Sequence, residues 1–422
     1  MNALQNFLMK YLMPIANKVE QQKHLQAIKD GMIANIPIIV VGSICLLPTA
    51  LMNLFGSGPV FDALKACNPF FSYVSLFTND ILSIYAAYLI AKQLAKRYDI
   101  DNTETGIIAI AVHLILVGFS VENGIGTAYL GASGLFVSII SAILSVEVTR
   151  FLIKKNVIIH LPSSVPAMVG ESFAALIPLV INVAIASIIA NVTIITTGKI
   201  FPEFIMGLLA PAISTMDTLP ALLLVIFFTQ ILWFFGLHGP SITSAVWSPF
   251  AIAYGAENIA NFAAGKPVTH IFTFGMYYNI LQVAGSGLTL GLVILMIRSK
   301  CKAFSAVGKA AIVPSIFGIN EPVIFGAPII LNPFMFIPFV FGPLIVTVLA
   351  YFAFQTGLIG MPIANPPGFM PVGVGAFLMT LDWKAVVFVF GALILMGLIY
   401  YPFFKMMEKE EIKKESQAVE EE

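Results

Sequence analysis

Apolar residues run along this chain in long blocks, separated by short polar segments that hold most of the charges. A helix needs about 20 apolar residues to cross a bilayer. Blocks of that order lie at 32–55, 72–95, 105–120, 129–149, 173–197, 218–236, 272–297, 334–354 and 385–403. No small-residue cleavage site follows the block that begins at Met32, so it reads as the first membrane helix. The stretch 240–256 is shorter and carries Pro240 and Pro249. Its pattern alone leaves open whether it crosses or re-enters.

Three regions depart from this pattern. Residues 156–172 alternate apolar and polar positions around Pro162 and Pro166, which predicts a short extended hairpin. Residues 199–216 are mixed in character and predict an interfacial amphipathic helix joining two halves. Residues 314–371 hold ten of the 25 prolines, too many for uninterrupted lipid-facing helices. Irregular backbone at membrane depth survives only when buried in protein or lining a wet cavity. A re-entrant hairpin beside a polar pathway is therefore expected there. No internal repeat is evident.

Composition sharpens the class. Of 422 residues, 59% are hydrophobic and 10% are charged, against roughly 25% charged in an average soluble domain. A soluble enzyme of this length has too few charges to cover its surface, and disorder is excluded as well. The fold class is an all-α polytopic membrane protein. Formal net charge is zero, so no nucleic-acid footprint is expected. Cys45, Cys67 and Cys301 are odd in number and far apart, fitting neither a disulfide framework nor a zinc site. No metal and no cofactor is expected.

Charge also orients the chain, because cytoplasmic segments collect Lys and Arg. If 240–256 crosses, there are about ten transmembrane helices with both termini cytoplasmic. Four of the 22 Lys and Arg residues, Lys65, Lys199, Lys266 and Lys384, then lie outside, and the rest lie inside. If 240–256 re-entered instead, the basic cluster after Met296 would lie outside.

An ionisable residue at membrane depth is costly and is a candidate site. His238 lies between Gly236 and Gly239, followed by Pro240. These residues let the chain turn sharply and a ligand approach. A capping histidine is the plainer alternative. Glu321 precedes Pro322, which favours extended backbone, and no other acid lies nearby in the sequence. A lone carboxylate there suits proton acceptance or a hydrogen bond to a sugar hydroxyl. Gly239, Asn320, Asn279 and Gln282 are further substrate-binding candidates near the breaks. Each polar one alone also reads as an interhelical hydrogen-bonding residue. Glu147 and Arg150 are placed to pair. Aromatics stack on sugar rings through their C–H faces, and Trp233, Trp247 and Trp383 are the only tryptophans; interfacial anchoring is the better default for them. The glycines of 285–287 read as close helix packing.

Several blocks carry a resemblance. KHLQAIKDGMIANIPIIVVGSI from Lys23, FFGLHGPS around His238, FGINEPVIFGAPIILNPFMFIPF around Glu321 and YYPFFK from Tyr400 resemble the membrane component, EIIC, of bacterial sugar phosphotransferase systems. The likeness is to the lactose, cellobiose and chitobiose branch and spans about residues 10–405. It implies a multi-pass permease in the bacterial inner membrane that takes up a β-linked disaccharide. A soluble IIB phosphocarrier would phosphorylate the sugar as it enters. The resemblance implies a homodimer, with Glu321 as sugar ligand and catalytic base and His238 as sugar ligand.

The expected organisation is a scaffold and dimerisation half at 1–198, the amphipathic linker at 199–216, a substrate half at 217–404 and a charged cytoplasmic tail at 405–422. One departure bears on specificity. Many members carry a Trp-Thr-Pro-Pro or Trp-Thr-Thr-Pro-Pro loop after the hairpin, where this chain has Ile363, Ala364 and Asn365 before its two prolines. The rival reading is an ion-coupled secondary sugar transporter. It calls for paired acids on facing spans, and no convincing pair is evident.

Overall fold

The structure is a computed structural model. It describes residue 18 and residues 21–421, except 56, 101–102, 119, 122–123, 163–164, 328 and 369. The described chain is helical apart from one two-residue ladder, Ser120–Val121 against Gly124–Ile125. Helix is the expected outcome, because lipid supplies no partners for backbone N–H and C=O groups. Six described helical stretches are long and apolar enough to cross a membrane, among them Ser172–Thr197, Pro333–Gln355 and Trp383–Lys413.

The predicted blocks fare differently. The block 272–297 passes the length test, yet its helix is broken. Phe274–Leu281 is one helical segment, ending in a π-helical turn, and Leu290–Ile297 is another. Between them Ala284, Gly285, Gly287 and Leu288 all take positive φ. By contrast, 240–256 lies inside one continuous helix, Gly239–Ala263. Its 25 residues extend about 37 Å, enough to span the hydrocarbon core.

The chain divides into two compact units. The amino-terminal unit comprises Glu20–Ser214 and Ser248–Pro267. Here Leu82–Lys96 packs on Lys23–Ala34, Thr103–Val117 and Leu135–Lys154. A chain of small buried residues along Leu82–Lys96 (Ser83, Ala86, Ala87, Ala91, Ala95) permits those close approaches. His113 is fully buried and bonds Ser83 Oγ at 2.7 Å and Ser141 Oγ at 3.3 Å. Residues 199–216 form the helix Phe201–Met216.

Among the described residues of 156–172 no strand of the predicted hairpin is present. Positions 163–164 lie outside the described residues. The rest is an irregular stretch leading into the helix Ala167–Ala174. Pro162 and Pro166 each lack an N–H for a strand ladder, and a helix begins readily just after proline.

The carboxy-terminal unit contains Thr215–Trp247 and Val268–Glu422. Pro333–Gln355 packs against both Leu219–Phe234 and the last helix, and Leu290–Ile297 packs against Lys302–Ile316. The last helix runs from Trp383 to Glu421, well into the segment expected as a solvated tail. Glu408 explains part of that: it is buried, accepts from Ser299 Oγ and Lys300 N, and pairs with Lys405 Nζ at 2.6 Å. Two of the tryptophans expected as anchors, Trp233 and Trp247, are instead buried, and Trp383 is 67% exposed.

Candidate functional site

His238 and Glu321 are 83 positions apart in sequence, and the carboxy-terminal unit brings them together, with His238 Nε2 3.8 Å from Glu321 Oε1. His238 immediately precedes the helix Gly239–Ala263 and caps it. Its Nδ1 accepts from Ser241 N at 3.1 Å, and its carbonyl accepts from Ile242 N. With Nδ1 occupied as an acceptor, the neutral ring carries its proton on Nε2. That N–H points at the carboxylate. The capping role and a binding role therefore coexist on one side chain.

The turn before the cap is built from glycine. Gly236 sits at φ +81, and a Cβ on Gly239 would lie 2.0 Å from the Thr229 carbonyl oxygen. Gly239 thus serves by lacking a side chain. Trp233, on the preceding helix, stacks on His238 with ring centroids 4.6 Å apart and meets Phe325 edge-on.

Glu321 opens the short helix Glu321–Gly326, with Pro322 in its first turn. This differs from the extended backbone expected for a residue before proline. Proline is well tolerated in a first helical turn, and a carboxylate is favoured there by the helix dipole. The side chains of His238 and Glu321 are 46% and 45% exposed. Their 3.8 Å separation is too long for a direct hydrogen bond. A hydroxyl oxygen seated beside the pair, within hydrogen-bond distance of both atoms, can accept from Nε2–H and donate to the carboxylate.

The other candidates sit around the helix break. Asn320 is buried and donates from Nδ2 to Ser286 O at 2.5 Å and Thr289 Oγ1 at 3.2 Å. It presses on Gly285, whose absent Cβ would lie 2.3 Å from Asn320 Cγ. Tyr400 Oη donates to Gly287 O at 2.8 Å. These two side chains supply partners that a helix would have given the broken backbone. Asn279 is also buried and donates to Gly275 O at 3.1 Å. Gln282 is 4% exposed, and neither of its amide atoms has a partner. Gln230, fully buried, is in the same condition. Burying an unpaired amide costs about 1–3 kcal/mol, so these two side chains are held at a cost the fold does not recover internally.

The Ile363-Ala364-Asn365 segment is irregular backbone. Ile363 N and Ala364 N donate to Met379 O, and Asn365 Oδ1 accepts from Gly275 N at 3.3 Å. Asn365 Nδ2 is buried without a partner. The departure from the expected loop therefore lands on a residue that braces the helical segment Phe274–Leu281.

Trp233 lies beside the site although the sequence favours the anchor reading over a sugar-stacking one, because an aromatic flanked by apolar residues has the pattern of an anchor. Its spacing of five residues from His238 was the available signal. Gln230 was overlooked, since one amide in an apolar helix is unremarkable until its partners are counted.

Residues 29–343 match the family model for the phosphotransferase system, EIIC. The chain belongs to the EIIC family. It is 32% identical to the oligo-beta-mannoside-specific EIIC component of Bacillus subtilis, covering 98% of this chain and 96% of that relative. It is 30% identical to the lactose-specific EIICB component of Lactococcus lactis, over 95% of this chain and 72% of that longer protein. The crystal structure of ChbC, the IIC component of an N,N'-diacetylchitobiose-specific phosphotransferase system, matches with a TM-score of 0.89 at 32% identity. That match covers 97% of this chain and 99% of ChbC. This EIIC chain is thus the membrane-embedded sugar permease component of a phosphotransferase system.

Proposed function

We propose that this EIIC chain translocates a β-linked disaccharide of the cellobiose, chitobiose or lactose type and presents it for phosphorylation by a IIB phosphocarrier. The observation that carries the site is the His238–Glu321 pair: half exposed, 3.8 Å apart, and backed by the Trp233 ring. The glutamate accepts the proton of the attacking sugar hydroxyl, and the histidine N–H orients the same region of the ring. Phosphoryl transfer asks the protein mainly for alignment of the nucleophilic oxygen and electrostatic support. A carboxylate within reach of a hydroxyl supplies the base. Trp233, buried behind the histidine ring, holds His238 in place for that contact. Phosphorylation then makes the product anionic and ill-matched to the carboxylate, which prevents its return.

The phosphoryl donor belongs to a partner. The lactose-specific relative carries EIIC and EIIB activities by name in one protein, which supports a separate IIB protein acting here at the cytoplasmic face. Ten crossings with both termini inside remain the favoured topology, supported by the lysine and arginine distribution and by the continuous helix Gly239–Ala263. A homodimer built on the amino-terminal half is proposed with it. The proposed roles are a scaffold at 1–198, a linker at 199–216, substrate handling at 217–404 and a cytoplasmic end at 405–422.

The test is accumulation of labelled cellobiose, N,N'-diacetylchitobiose and lactose in membrane vesicles, with and without the phosphorelay proteins. Relay-dependent appearance of phosphorylated sugar is expected for one of them. Uptake that follows a proton or sodium gradient and yields free sugar would replace this reading with the ion-coupled one.

A further inference from the structure

The amino-terminal unit holds a cavity of about 620 Å³, apart from the His238–Glu321 site. That volume lies within the range of small-molecule sites. Its polar lining comes from Asn79, Asp80, Ser133, Glu257, Asn261 and Lys266, and its apolar lining includes Phe136 and Ala260. We propose that this cavity is an outer loading subsite, where a neutral saccharide is held before it reaches the His238–Glu321 pair. The proposal rests on the permease reading and its topology, which puts Lys266 on the outer side.

The chemistry points to a polyol. Two carboxylates accept hydroxyl hydrogen bonds, and the Asn261 carboxamide donates and accepts. One ammonium offsets one carboxylate, so a strongly charged ligand is not favoured. Among the described residues no group of three or more His, Cys, Asp or Glu side chains is placed to hold a metal ion. Both amide atoms of Asn79 are shielded from solvent and packed close to Gly42, so Asn79 shapes the wall and the ligand contacts fall to Asp80, Ser133, Glu257, Asn261 and Lys266.

The walls are fixed in advance. Ser83 N and Oγ both bond Leu130 O, at 2.8 and 2.6 Å, tying the loop that bears Ser133 to the segment after Asp80. Tyr254, on the helix that bears Glu257 and Asn261, donates to Ile213 O on another wall. Asp80 and Glu257 are exposed at their positions, so the cavity is open at its mouth. Phe136 offers an apolar face to the C–H side of a sugar ring.

Two measurements on the full-length protein decide it. The first is equilibrium binding of the transported disaccharide to the purified His238→Ala/Glu321→Ala double variant, where both members of the inner pair are removed. Weak residual binding is expected, and Ala260→Trp, which fills the cavity from an exposed helical position, is expected to remove it. No residual binding, or residual binding indifferent to Ala260→Trp, overturns the proposal. The second compares vesicle orientations, using Asp80→Asn and Ala260→Trp in the otherwise unmodified protein. In right-side-out vesicles the KM for uptake should rise about tenfold, the scale of one lost charged hydrogen bond. In inside-out vesicles, where sugar and relay proteins meet at the cytoplasmic face, phosphorylation should be unchanged. An unmoved uptake KM in both variants, or an equal fall in both orientations, overturns the subsite. Absence of relay-dependent phosphorylation by the unmodified protein would instead overturn the permease reading, while the binding measurement still judges the cavity.

Discussion

Two histidine–glutamate pairs in this protein use the same residue types for opposite ends. In the amino-terminal unit His24 Nε2 meets Glu147 Oε1 at 2.8 Å, and Arg150 Nη1 holds the other carboxylate oxygen at 3.1 Å. Arg150 also lies 3.8 Å from the Tyr98 ring centroid. Burial, and then the neighbouring Glu147 carboxylate, push the Tyr98 hydroxyl up to about 12, so it stays protonated beside the pair. Each oxygen of Glu147 has a partner, and the cluster is closed. In the carboxy-terminal unit His238 and Glu321 stand 3.8 Å apart, one histidine nitrogen committed to a helix cap and the other offered across a gap. What sets the proposed binding pair apart from the structural one is that its two members do not hydrogen-bond each other. His270 Nδ1 and Asp217 Oδ2, at 3.0 Å, fall on the structural side, since Asp217 also accepts from the backbone N–H groups of Ile271 and Phe272.

The comparison breaks most sharply on the two glutamates. Glu321→Gln keeps the shape but removes the base, and relay-coupled uptake is expected to fall roughly 100-fold or more, with thermal stability in detergent unchanged. Uptake near the unmodified rate would remove Glu321 from the chemistry. Glu147→Ala should do the reverse. It strips His24, Arg150 and Tyr98 of their shared acceptor and should cost about 2 kcal/mol of stability, discounted for partial exposure. The uptake KM of the folded fraction should stay put. A changed KM without a stability loss would mean that the closed cluster also serves transport.

His238 divides its two roles between two substitutions. Asparagine is a good capping residue, so His238→Asn keeps an acceptor for Ser241 N while losing the Nε2–H and the stack on Trp233. The KM for sugar should rise about tenfold with little change in melting temperature. His238→Ala should lose the cap as well, at about 1 kcal/mol more. Equal melting temperatures for the two variants would show that the cap contributes nothing.

The sequence made one of these pairs legible and hid the other. His238 and Glu321 stood out because each is an ionisable residue among helix breakers within apolar blocks, and both breaks formed. Their meeting could not be read from one chain, nor could the isolation of Glu321 be seen to end at His238. Glu147 and Arg150 were legible as a helical (i, i+3) pair. The third member, His24, lies 123 positions away on another helix, beyond any local pattern. The break at 282–289 was hidden because hydropathy averages over it. Only the glycines of 285–287 and their polar neighbours hinted that the run is interrupted. The all-α membrane class followed directly from charge scarcity, while the division at 248–267 depends on tertiary packing that has no local signature.

Tryptophan supplies the mildest test of the same contrast. Trp233 is buried against His238, whereas Trp383 is 67% exposed at the start of the last helix. An exposed aromatic at a helix end is suited to the membrane interface, where phenylalanine replaces much of its apolar contact. Trp383→Phe should therefore change stability by no more than about 0.5 kcal/mol and leave uptake kinetics alone, measured in the same vesicles and detergent. The Trp233→Phe variant, run alongside, keeps the apolar stack but reshapes the wall behind His238. It should move the sugar KM by more than the exposed substitution does. If the two variants behave alike, the ring at 233 is packing material only, and the site consists of the histidine, the glutamate and the space between them.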